Sequence, residues 1–207
     1  MVLCADLQYF TTINSFIDLV KSGNINFQAT QPFRRSTFRN RMMVPASNGI
    51  IQLSIPLVGG RNCRLPYRDV LIDYKSDWQR NHYQTLVSVY GNAPWFQHYS
   101  VELEALFNQK PSGLFEWNML CFNWIAKKFK MNNSIRLQET ELSDNEPCIN
   151  RSDFYLPSNY FQTEKGPFLV YAQVFDTKIG FKPNVSILDL LLNEGPNARN
   201  KILSFIN

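Results

Sequence analysis

Residues 2–29 read VLCADLQYFTTINSFIDLVKSGNINFQA. Residues 2–7 are mostly apolar and short, as a buried strand requires. Residues 13–21 place Phe16, Leu19 and Val20 on one helical face, and Ser22, Gly23 and Asn24 stop the helix. Residues 25–29 read as the next strand. A strand, helix and strand in so few residues pairs its strands in parallel through a right-handed crossover, which sets the expectation of an α/β fold.

Working outward, residues 41–44 and 50–58 read as strands joined at Ala46-Ser47-Asn48-Gly49, where Asn-Gly accepts the positive φ of a tight hairpin. Residues 70–74 suggest one more short strand. Helices are predicted at about 77–90, 95–108 and 112–130, followed by a strand at 134–139. Residues 140–153 are polar and acidic, the pattern of a mobile loop. Ser186 and Asp189 form a capping-box-like pair before a helix at 187–192. Gly195 stops that helix, and Pro196 opens the last one, through residue 205. The expectation is a single α/β domain over residues 1–207, with a mixed, largely parallel sheet flanked by helices.

The 207 residues include 21 Lys or Arg and 17 Asp or Glu, a net charge of +4. Hydrophobic residues make up 44%, enough for one sizeable core and too many for a disordered chain. Charged residues are only 18%, below the usual ~25%, so the surface must be rich in uncharged polar groups. No apolar run is long enough to span a bilayer, and the first ten residues lack a basic region followed by a long apolar stretch; a cytoplasmic protein is expected. Cys4, Cys63, Cys121 and Cys148 lie far apart with no CxxC, which implies free thiols and no metal site. No pattern calls for a cofactor.

The modest net charge hides a cluster: seven arginines lie between Arg34 and Arg68. Guanidinium forks match carboxylate or phosphate, and several together can make an anion pocket. On a continuous strand Arg39 and Arg41 would share a face with Asn40 opposite; solvated surface arginines are the plain alternative. His82 follows Trp78 by four residues, on the same helical face, with Arg80 on another side. Only His82 and His98 can offer a near-neutral acid or base, and His82 is the better placed, although a hydrogen-bonded structural histidine fits as well. Asp6 follows the first strand, at the end where α/β sheets bind ligands. Asp189 is accounted for by capping.

Arg39-Asn40-Arg41, Asn48-Gly49, Leu53-Ser54-Ile55-Pro56, Trp78-Gln79-Arg80-Asn81-His82, Gln173-Val174-Phe175, Gly180-Phe181 and residues 186–191 together resemble the WbqC-like protein family. The resemblance implies a bacterial protein associated with O-antigen-type polysaccharide biosynthesis, and a transferase acting on an aminoacyl, acyl or sugar group. It implies that Arg39, Asn40, Arg41, Trp78 and Arg80 bind an anionic or nucleotide-sugar small molecule, with His82 catalytic; Asp6, from its place after the first strand, is the candidate second catalytic base. The family commonly has a proline after the aromatic pair at Tyr9-Phe10, where this chain has Thr11. The rival reading is a non-catalytic module that holds a glycan or protein through Trp95, Phe154, Tyr155 and Tyr160. A third, single-stranded nucleic acid on the Phe33–Arg41 stretch, is disfavoured by the modest charge.

Overall fold

In the computed structural model, which describes residues 2–60, 64–132, 134–138, 148–152 and 154–207, the opening segment folds into the expected unit. Strand β1 (Val2–Ala5), helix α1 (Ile13–Lys21) and strand β2 (Asn24–Gln28) follow in order. β1 and β2 pair in parallel with Leu3 opposite Ile25. Two later segments complete this sheet. Strand β5 (Ser134–Gln138) adds in parallel to β2, and β6 (Cys148–Asn150) adds in parallel to the other edge of β1. The order β5-β2-β1-β6 places β1 in the interior of a four-stranded parallel sheet.

Strands β3 (Arg41–Ala46) and β4 (Gly49–Ser54) form the antiparallel hairpin that Asn48-Gly49 announces, with Gly49 at φ 125°. They make a separate two-stranded sheet, so the single mixed sheet of the sequence reading is corrected to two sheets, one parallel and one antiparallel. Residues 70–74 are not a strand: Leu71 and Ile72 make only isolated bridges, to Gly113 and Leu57. Helices α2 (Trp78–Tyr90), α3 (Phe96–Phe107) and α4 (Leu114–Lys128) fill the middle of the chain. A short helix α5 (Asp176–Ile179) precedes α6 (Ile187–Glu194) and α7 (Asn197–Ile206). Residues 140–147 and 153 of the expected acidic loop lie outside the described residues, while 148–150 of that segment form β6.

One connected core runs from Leu3 to Ile202 and draws on β1 to β4, α1 to α4, α6 and α7. Aromatic side chains join its layers: Phe27 of β2 meets Phe122 of α4 edge-on at 5.0 Å, and Phe16 of α1 meets Phe129 at 4.7 Å. The loop after β1 is fastened to the start of α6, because the Ile187 amide donates to the Thr11 carbonyl and the Ser186 hydroxyl to that of Phe10. Ser186 caps α6 by accepting from the Leu188 amide. Among the described residues no helix is long and apolar enough to cross a membrane.

Candidate functional site

Because β1 lies inside the sheet, the chain leaving its carboxyl end at Asp6 emerges at mid-sheet, the position where open α/β sheets gather ligands. Phe10 ends this loop with φ 41°, an unusual conformation for a bulky residue. The turn before β3 packs against it, with the Tyr9 amide donating to the Phe38 carbonyl at 2.9 Å.

Arg39 sits in that turn and not on β3, so the expected strand alternation with Arg41 does not apply. Its Nε and Nη2 donate to Asp6 Oδ1 at 3.1 and 2.7 Å, and its Nη1 donates to the Pro32 carbonyl at 2.9 Å. The guanidinium lies 4.9 Å from the Tyr67 ring centroid, and Arg39 is only 2% exposed. Two candidate site residues with separate sequence signals therefore form one buried ion pair. Asn118 of α4 fixes its surroundings: its Nδ2 donates to the carbonyl of Arg39 and to the hydroxyl of Tyr67, whose own proton goes to the Leu7 carbonyl. Asn118 and Tyr67 are absent from the sequence-based candidates. The available signal is a lone amide on the apolar stripe of α4.

Asn40 and Arg41 face a different situation. Asn40 Nδ2 donates to the Ile55 carbonyl at 3.0 Å, while its Oδ1 is buried with no hydrogen-bond partner among the described residues. Arg41 opens β3 opposite Ser54 and is half-buried. Its Nε is likewise buried and unpartnered among the described residues, and its Nη1 reaches Gln52 Oε1 only at 3.5 Å. No described carboxylate pairs with it. Desolvation lowers the Arg41 pKa, as expected of a cation partly removed from water without a counter-charge.

His82 also reaches this region. Its Nδ1 lies 3.0 Å from the Tyr9 hydroxyl, and it hydrogen-bonds the backbone of Ser54, the ladder partner of Arg41. Burial lowers its pKa to about 4, with the Ser54 contact opposing, so the ring is neutral at pH 7. Burial also holds the Tyr9 phenol protonated, which makes it the donor and leaves the imidazole proton on Nε2. Trp78, one turn earlier, meets the imidazole edge-on at 5.2 Å, and its indole N–H is buried without a partner among the described residues. The structure thus pairs Asp6 with Arg39 and Trp78 with His82, and links His82 through Ser54 to the strand position opposite Arg41. Arg80 does not join them: it is exposed on α2 and lines a groove with Asp77, Glu104 and Lys110.

Asp189 has a different role from the expected cap. It is fully buried, accepting from the Tyr171 hydroxyl and from Gln173 Nε2, the latter at 2.8 Å, and burial raises its pKa to about 6. Cys4 and Cys121 are buried thiols, and desolvation pushes Cys121 well up, away from nucleophilic use; Cys63 and Arg61 lie outside the described residues. The aromatics assigned to a binding surface are mostly occupied within the fold. Tyr155 and Tyr160 are buried, Trp95 is half-buried with His98 against its ring, and Phe154 lies close to the cations of Arg151 and Lys165. Among the described residues no cluster of His, Cys, Asp and Glu is arranged to hold a metal ion.

The model of the WbqC-like protein family matches residues 7–150, more than half of the chain. The matched span holds Arg39, Asn40, Arg41, Trp78 and His82, with Asp6 immediately before it. No curated protein and no solved structure matches the chain.

Proposed function

The chain belongs to the WbqC-like protein family, and we propose that it is a transferase of bacterial surface-polysaccharide biosynthesis that holds an anionic donor at the start of β3. The observation that carries this reading is Arg41: a half-buried guanidinium whose Nε has no partner and no carboxylate among the described residues, next in sequence to Asn40, whose Oδ1 also lacks a partner among them. A phosphate or carboxylate would supply the missing acceptor for Arg41, and a ligand hydroxyl or amine would supply the missing donor for Asn40. The Asp6–Arg39 pair is committed internally and acts as a positioning element, holding the turn from which Asn40 and Arg41 project. His82 is the proton acceptor in this scheme through Nδ1, which takes a proton from the ligand once the Tyr9 hydroxyl that now donates to it has been displaced, since Nε2 carries the imidazole proton. It is neutral at pH 7, and an anion bound nearby would raise its pKa toward the working range.

The second reading, a binding module without chemistry, is favoured by the same low pKa of His82, which leaves a weak base when no ligand is present. Thermal-shift and calorimetric titration with nucleotide sugars and with acyl and aminoacyl donors separates the two. An anionic donor should stabilise the wild type, and Arg41→Gln should weaken its binding roughly 10- to 100-fold, the loss of one charge-assisted contact. His82→Gln should keep binding and lose group transfer; transfer at the wild-type rate would remove His82 from the mechanism. If no donor stabilises the wild type, the anion reading fails.

A further inference from the structure

We infer that the groove between α2 and the β3–β4 hairpin is a binding site for a neutral saccharide. The groove is open to solvent and offers about 510 Å³ along the helix. Its apolar part comes from Ile51, Val89 and the half-buried Phe175, and its polar part from Ser47, Asn81, Gln84 and Ser88. None of its lining residues is charged. The neighbouring groove along α2, which shares Gln84 with it, differs in carrying Asp77, Arg80, Glu104 and Lys110.

This lining selects its ligand by chemistry. An ion would find no counter-charge, and an apolar ligand would strip water from several amides and hydroxyls without replacing their hydrogen bonds. A sugar ring presents C–H faces to an aromatic or aliphatic wall and hydroxyls at its rim, which matches both parts. Asn81, Gln84 and Ser88 recur at the spacing of one helical face, and their side chains make no hydrogen bond among the described residues. The Thr85 hydroxyl, between them, is already given to the Asn81 carbonyl at 2.8 Å. The site is separate from the start of β3 and does not rest on the anion reading.

Saturation-transfer NMR with methyl glycosides of glucose, galactose, mannose, N-acetylglucosamine and N-acetylgalactosamine, with glucuronate as the charged counterpart, tests it on the full chain. At least one neutral glycoside should show saturable binding to the wild type. Ser88→Trp, an exposed position, should abolish that binding by filling the groove. Gln84→Ala should weaken it roughly 2- to 10-fold, the loss of a neutral hydrogen bond, and Glu104→Gln in the neighbouring groove should leave it unchanged. Absence of binding by every neutral glycoside, equal binding to Ser88→Trp, or a preference for glucuronate would each overturn the assignment.

Discussion

Arg39 and Asp6 are joined by two hydrogen bonds in a place almost closed to water. Removing Arg39 takes two charge-assisted hydrogen bonds from the buried Asp6 carboxylate, and removing Asp6 takes them from the buried guanidinium, a loss of up to about 3–5 kcal/mol. Arg39→Ala should therefore lower the urea midpoint markedly, while the joint change Arg39→Met with Asp6→Leu should recover part of the loss. A single variant that unfolds like the wild type would show that the pair is not held as described. Both residues are legible as candidates in the sequence, but their pairing is not, because it spans 33 positions and no local pattern encodes it. Asp189 is the converse case. Its Ser-x-x-Asp spacing is a valid local cap signal, yet Tyr171 and Gln173, brought in from a distant segment, capture the carboxylate instead.

At the scale of elements, α1, α2 and α6 are readable because apolar periodicity and stop residues agree. Residues 70–74 mislead because alternation can propose a strand but cannot supply a neighbouring ladder. β6 is three residues long and carries too little pattern to stand out from the acidic segment around it. Gly195 shows how tightly one stop signal is specified. It ends α6 at φ 56°, and a Cβ there would overlap the Trp95 indole. Gly195→Ala adds backbone strain of about 1 kcal/mol to an overpacking cost of about 1–3 kcal/mol. Thermal denaturation should show a loss of roughly 2–4 kcal/mol; a neutral result would mean that α6 ends differently.

For the molecule as a whole, two buried groups oppose each other as pH changes. His82 has its pKa lowered by burial to about 4, so the unfolded chain takes up its proton first, and its contribution to stability falls as pH drops from about 6.5 toward 4. Asp189 has its pKa raised by burial to about 6, so its contribution is full below about 4 and is lost as pH rises through 6. Each effect amounts to about 3 kcal/mol, and over this window they largely cancel. Chemical denaturation from pH 4 to 6.5 should give a shallow profile for the wild type. His82→Gln should lose stability with rising pH, and Asp189→Asn should gain it. Parallel slopes in the two variants would refute the assignment. The hairpin introduces a different asymmetry, because it shares no hydrogen-bond ladder with the parallel sheet. Two strands alone are marginal in water, and this pair leans on the rest of the chain through contacts such as the Ser186 amide on the Met43 carbonyl. Its hold is packing: Met42, Val44 and Ala46 of β3 and Leu53 of β4 are buried in the core that β1 and β2 share. The start of β3 is thus a seam between two ladders, with Asp6 just past the end of one and Arg41 at the beginning of the other, joined by side chains and not by strand pairing.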